Sequence, residues 1–198
     1  ISLLLNEKII LNEIYFETFN TTYKLGFIWS IILTVLCLLL LINASNLSDG
    51  INGLCLSIGI FWFLYLFLQT NNLSDNFNFI FFILILIIIF FNIYKGNIFL
   101  GNSGSHFIGA IIGLSLIYNY NLILIDKNLV NKISVEEIFL VLMLPGIDML
   151  RLFLFRIFNG QNPFKPDKLH LHHFLVERFN LYKSLIIYNA LLISPLIL

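Results

Sequence analysis

Residues 77–94 read Phe77-Asn-Phe-Ile-Phe-Phe-Ile-Leu-Ile-Leu-Ile-Ile-Ile-Phe-Phe-Asn-Ile-Tyr94, with no charged side chain in the run. A helix crosses the hydrocarbon of a bilayer with roughly 17–25 predominantly apolar residues. Spanning strands would instead appear as shorter segments of alternating polarity, which this run lacks. The stretch therefore predicts a membrane helix. Runs of the same kind lie at residues 26–42, 53–70, 104–125 and 135–155, and another begins near Ser184 and is cut off at the end of the chain. Polar segments at 71–76, 126–134 and 159–183 punctuate them. The expected fold is an all-α integral membrane protein. It is a multi-span helical bundle of five complete spans plus one truncated, forming a single transmembrane domain over residues 1–198.

Composition supports that reading. Of the 198 residues 59% are hydrophobic and only 11% charged, with a mean hydropathy of +0.94. A soluble domain carries about 25% charged residues, so a soluble enzyme and a disordered tail are both excluded. Eleven basic residues balance eleven acidic ones, and without a basic excess a nucleic-acid partner is excluded too. Cys37 and Cys55 both lie in apolar runs, which is no disulfide framework. The chain begins with Ile1 and stops inside an apolar run, with no signal-peptide pattern. That predicts a piece of a longer chain, without its N-terminal spans and its C-terminal end. Residues 8–22 mix charges with Ile, Tyr and Phe, and suit either a short interfacial hairpin or a helix.

Lys and Arg concentrate in short cytoplasmic loops. With alternating spans, one side receives Lys95, Arg151, Arg156, Lys165, Lys168, Arg178 and Lys183, and the other only Lys8, Lys24, Lys127 and Lys132. The richer side is read as cytoplasmic. It also collects three polar segments.

The first runs Asn43-Ala-Ser-Asn-Leu-Ser-Asp-Gly-Ile-Asn-Gly-Leu54 and sets Asn43, Asn46, Asp49 and Asn52 three residues apart. On a helix that spacing keeps the groups together. A carboxylate beside amide oxygens suits Mg²⁺ or an oriented phosphate, and Gly50 and Gly53 would let backbone approach a ligand. The alternative is an ordinary turn with Ser48 or Asp49 capping the next helix, which residue chemistry alone slightly favours. The second, residues 96–109, places Gly101, Ser103, Gly104 and Ser105 just before an apolar helix. Free N–H groups there would cradle a phosphate. Capping, with Gly109 and Gly113 as a close-packing face, is the plainer alternative.

The third segment carries more. Asp148 and Arg151 lie near the end of a span, where an ionisable residue is a candidate functional site, although at i and i+3 the two can simply pair. Beyond them, residues 156–174 contain His170, His172 and His173, three of the chain's four histidines, with Lys165, Lys168, Pro163 and Pro166. Cations and imidazoles in a stiffened loop suit diphosphate binding through charge-assisted hydrogen bonds. Zinc is a weaker reading because no Cys accompanies the histidines. A positive-inside anchor would need only Lys and Arg, so the functional reading wins here.

Taken together, the three segments resemble the polyprenyl-phosphate N-acetylhexosamine-1-phosphate transferase family (MraY/WecA type, glycosyl transferase family 4). Residues 43–54 resemble its N-A-x-N-x-x-D-G-x-D-G-L, residues 99–109 its F-x-G-D-x-G-S-x-x-x-G, and residues 163–175 its S-P-F-x-P-D-R-x-H-x-H-H-x-L. Order, spacing and shared membrane side agree, and three motifs together are highly specific. The resemblance implies that a polyprenyl (undecaprenyl) phosphate attacks the β-phosphorus of a UDP-N-acetylhexosamine and releases UMP. Mg²⁺, or Mn²⁺ in its place, would be the cofactor. The product would initiate a cell-envelope glycan such as O-antigen, capsule or teichoic acid, at the bacterial cytoplasmic membrane, with a homodimer allowed.

Carried over residue by residue, Asp49, Asn52 and His172 fall on catalytic positions. Asn43, Asn46, Arg156, Asp167, Lys168, His170 and His173 fall on substrate-binding positions, and Asn102 and Asp49 on metal-binding ones. Asn102 departs from the family's aspartate and brings no negative charge. The family's paired aspartates would fall upstream of Ile1, so the resemblance implies that this stretch alone is inactive. A relative without catalysis that binds lipid or a partner protein is the alternative. A transporter would need polar or broken-helix groups near mid-membrane, and here the polar residues crowd one interface.

Overall fold

A computed structural model describes residues 8–70, 76–95, 100–125, 133–162 and 169–197. The chain opens with an antiparallel hairpin, β1 (Glu13–Phe16) and β2 (Thr21–Lys24), paired in the register Glu13 to Lys24. Helices follow: α1 (Phe27–Leu47), α2 (Leu54–Thr70), α3 (Asn76–Lys95), α4 (Gly101–Ile125), α5 (Val135–Phe158), α6 (Leu171–Arg178) and α7 (Leu181–Ile193). A 3₁₀ turn at Ser48–Gly50 links α1 towards α2.

Each apolar run became a helix, and the protein is a multi-pass membrane helical bundle. Three helices, at Phe27–Gly50, Gly101–Leu124 and Val135–Phe158, are long and apolar enough to cross a bilayer, while Leu54–Gln69, Asn78–Ile93 and Leu181–Leu196 are shorter apolar helices. The all-α expectation needs one correction, because the segment before α1 is a hairpin. Its hydrogen-bond partners explain why. Tyr15 N–H donates to Tyr120 Oη of α4 at 2.7 Å, Leu11 N–H donates to Thr34 Oγ1 of α1 at 2.9 Å, and the Asn121 amide donates to the Lys8 and Ile10 carbonyls. A helix through residues 13–16 would turn the Tyr15 N–H back on its own backbone and take it from Tyr120 at the far end of α4.

α1 packs chiefly on α4, and α2 on α3. Little hydrophobic force acts between helices in lipid, so small residues set the close approach. A Cβ on Gly109 would lie 2.9 Å from Ile42 Cα, and one on Gly113 2.8 Å from Leu38 Cδ2. The packing reading of these two glycines is therefore the structural one. Trp62, Phe63, Leu66, Ile112 and Tyr188 fill the interior between α2, α4 and α7.

At its start α5 is capped by Ser134, whose Oγ accepts from Glu137 N–H at 3.1 Å. It then runs three residues beyond the expected boundary, to Phe158. α1 likewise extends through Asn43 and Asn46, and α4 starts at Gly101 rather than at 104. All three extensions lie at the same end of the bundle. Polar residues expected in loops there are carried on rigid helical turns.

Candidate functional site

The 3₁₀ turn Ser48–Gly50 is the hub, because the second and third polar segments both close on it. Asp49, two residues past the end of α1, has non-helical backbone angles (φ −81°, ψ 21°). Its carboxylate accepts the backbone N–H of Gly101, the first residue of α4. A helix N-terminus offers N–H groups without intrahelical partners and a favourable dipole for an anion, so Asp49 is anchored there. One turn back on α1, Asn46 Oδ1 accepts from Ser105 Oγ at 3.0 Å, and Ser45 Oγ donates to the Ser105 carbonyl at 2.9 Å. Two corrections follow. Residues 101–105 are the first turn of α4 rather than a loop, and Ser105 is committed to α1 rather than open to a phosphate.

The imidazoles arrive from the other side. His172 and His173 lie on the first turn of α6, and a Cβ on Gly50 would overlap His172 Nε2 and come within 3.1 Å of His173 Nε2. Gly50 is thus a glycine because of His172. Gly53 is one because its φ is +85° and Ile93 Cδ1 would sit 2.8 Å from a side chain there. The expectation that both admit a ligand is replaced by contacts within the chain. His170 stacks on His172 with ring centroids 5.5 Å apart and planes at 7°, and His172 meets His173 at 4.2 Å. Burial first, then the neighbouring His173 and His170, push the His172 imidazole down to about 4. It is neutral at pH 7, and its buried Nε2 has no hydrogen-bond partner among the described residues.

The polar side chain buried in α5 takes a larger part than pairing. Asp148 does pair with Arg151, at 2.9 Å, but its other oxygen is 2.9 Å from His170 Nδ1. Both oxygens accept the Leu171 N–H, at 3.3 and 3.2 Å. Arg151 also donates to the Leu169 carbonyl at 2.7 Å. The sequence signal was an ionisable residue within an apolar helix. Its partners, some twenty residues away, were not legible.

The remaining expected residues divide. Asn46, Asp49, His170, His172 and His173 are brought together around Gly50. Asn102 is exposed on the first turn of α4, next to the residue that binds Asp49, and Asn52 is half-buried between the turn and α2. Asn43 is exposed and its amide donates to the Leu39 carbonyl of its own helix at 2.7 Å. Arg156 is buried on the last turn of α5. Asp167 and Lys168 lie outside the described residues.

Among the described residues no group of three or more His, Cys, Asp or Glu could hold a metal by itself. Mg²⁺ asks for less. It keeps several waters and takes one or two carboxylates with substrate phosphates. One carboxylate at Asp49 with an amide oxygen at Asn102 fits that hard-oxygen chemistry, and only part of the carboxylate's acceptor capacity is taken by Gly101.

Fold and site together define a membrane-embedded helical protein whose polar groups meet at one end of the bundle. The chain belongs to glycosyl transferase family 4, whose model matches residues 1–120. It is 27% identical over 178 residues to a decaprenyl-phosphate N-acetylglucosaminephosphotransferase of Mycolicibacterium smegmatis, covering 79% of this chain and 43% of the relative. It is 26% identical over 147 residues to an undecaprenyl-phosphate alpha-N-acetylglucosaminyl 1-phosphate transferase of Thermotoga maritima, covering 74% and 43%. A phospho-N-acetylmuramoyl-pentapeptide-transferase of that organism is 29% identical over 193 residues, covering 91% and 57%. The chain therefore spans roughly half the length of these relatives.

Proposed function

We propose that the protein of this chain transfers an N-acetylhexosamine-1-phosphate from a UDP-sugar to polyprenyl phosphate. A non-bridging oxygen of the lipid phosphate forms a bond to the β-phosphorus. The bond from that phosphorus to the bridging oxygen breaks, and UMP leaves with the electron pair. The observation that carries this reading is the meeting of His172 and His173 with Gly50, directly beside Asp49 and the start of α4. Three polar segments far apart in sequence converge on this one turn, an arrangement that suits a single phosphate-bearing ligand.

In this reading the chain's residues mainly position charge, which is most of what phosphoryl transfer requires. The start of α4 orients Asp49. His172, neutral at pH 7, and His173 offer hydrogen-bonding groups to the diphosphate, with Arg156, Asp167 and Lys168 contributing to nucleotide-sugar binding. Asp49 and Asn102 would hold Mg²⁺, which supplies charge neutralisation on the diphosphate when bound. The site faces the cytoplasm at the bacterial inner membrane, in keeping with the excess of Lys and Arg at that end.

The test is UMP release from UDP-N-acetylglucosamine by the reconstituted protein with undecaprenyl phosphate. Asp49→Ala and His172→Ala should each lower turnover by about 100-fold, the usual cost of removing one preorganised electrostatic group. Unchanged turnover in both would overturn the proposal.

A further inference from the structure

We infer that Asp148 is a positioning residue for the imidazole cluster: it sets the tautomer of His170 and pins the start of α6 against the Gly50 turn. The inference rests on the transferase reading for its catalytic consequence, but its structural part stands on geometry alone.

Asp148 is buried in α5, where its neighbours along the helix are apolar apart from Arg151 one turn on. Leu171 is the first residue of α6, and its N–H is one of the donors a helix leaves without an intrahelical partner. The residue before it, His170, makes no side-chain cap bond. Asp148 supplies that cap from another helix, through both oxygens, at 3.3 and 3.2 Å. The Arg151 guanidinium bridges Asp148 and the Leu169 carbonyl, so residues 169, 170 and 171 are all held to one turn of α5. His172 follows directly, stacked on His170 and pressed on Gly50. The path from the α5 carboxylate to the Asp49 turn is therefore continuous through two parallel imidazoles.

The donor inventory fixes the tautomer. An ionised carboxylate only accepts hydrogen bonds, and Asp148 Oδ2 lies 2.9 Å from His170 Nδ1. Nδ1 must therefore carry a hydrogen, and a ring with a single N–H carries it there rather than on Nε2. A neutral asparagine would reverse this. The guanidinium beside Oδ1 can only donate, so an amide oxygen would face Arg151 and the amide NH₂ would face His170. His170 Nδ1 would then have to accept, and the hydrogen would move to Nε2. Simple neutralisation of Arg151 by Asp148 predicts no such change.

The experiment uses the protein in lipid nanodiscs with ¹⁵N-labelled histidine, alongside kcat and KM for UMP release. Four forms are compared: unaltered, Asp148→Asn, Asp148→Glu and Arg151→Gln. The unaltered protein should show His170 as the Nδ1–H tautomer. Asp148→Asn should switch it to Nε2–H and lower kcat by at least about tenfold, with KM changed by less than about threefold. Asp148→Glu should keep Nδ1–H and recover part of kcat. Arg151→Gln should keep the tautomer, since the carboxylate remains. An Nε2–H signal for His170 in the unaltered protein would overturn the inference whether or not any variant folds. So would Asp148→Asn that switches the tautomer yet keeps kcat per folded molecule. Absence of UMP release from the unaltered protein would sink the transferase reading alone, and the tautomer data would still decide the role of Asp148.

Discussion

His172 of α6 lies directly against the Cα of Gly50, on the turn that follows α1, in the space that any side chain at position 50 would need. This single contact joins two segments separated by more than a hundred residues. It makes Gly50→Ala a sharper probe than its size suggests. The added methyl must displace the imidazole, because His172 is held from behind by His170. Overpacking of this kind costs about 1–3 kcal/mol. Gly50→Ala should lower the melting temperature in detergent by several degrees and reduce UMP release more than stability loss explains. A melting temperature within a degree of the parent, with full activity, would show that the ring moves freely.

The neutral state of His172 makes stability depend on pH. Its folded pKa is depressed to about 4, from the ordinary imidazole value of 6.5. Above pH 6.5 both folded and unfolded chains carry the neutral ring, so the contribution is constant. Below it the unfolded chain takes up a proton that the folded one resists, and stability falls as pH drops from 6.5 towards 4. The slope is up to about 1.4 kcal/mol per pH unit for one group. Melting curves at pH 7, 5.5 and 4.5 should therefore decline, and His172→Gln should show a shallower decline. Equal slopes in the two proteins would place the acid sensitivity elsewhere.

Close packing of α1 on α4 predicts a larger effect at a site far from any ligand. Gly109 faces Ile42 Cα and Ser45 Cβ, each 2.9 Å from an added Cβ. Backbone cannot yield as a side chain can, so Gly109→Ala should cost about 1–3 kcal/mol, and Gly109→Val more. The same shift would pull Ser105 from Asn46. Loss of thermal stability should thus accompany loss of activity. A variant that keeps its stability would show that the two helices separate easily.

The amide at Asn102 predicts weak metal affinity. Asn102→Asp adds a carboxylate one residue from the Gly101 N–H that binds Asp49. At surface-like dielectric, one more negative charge within several ångströms strengthens a divalent cation's binding by at least about tenfold. Mg²⁺ titrations of thermal stability and of UMP release should both shift to lower concentration. An unshifted midpoint in both would remove Asn102 from the metal site.

Hydropathy alone settled most of the architecture, because lipid allows a long apolar run few alternatives to a helix. Residues 77–94 needed no neighbours to be read, and α3 spans Asn76–Lys95. The three polar segments were legible for the same reason, since polar groups stand out against an apolar background. Counting Lys and Arg put the three on one common side, and at one end of the bundle they meet around Gly50. Tertiary structure decided what those segments do to one another. Whether residues 8–24 form a hairpin depended on Tyr120, Thr34 and Asn121, all on other elements. Gly50 looked like space for a ligand, and it is space for His172. Asp148 looked like the partner of Arg151, and it also holds His170 and Leu171. Hydrophobicity is a property of each residue and its near neighbours, so it can be read along the chain. A hydrogen bond or steric contact between distant residues exists only once the helices have chosen their faces.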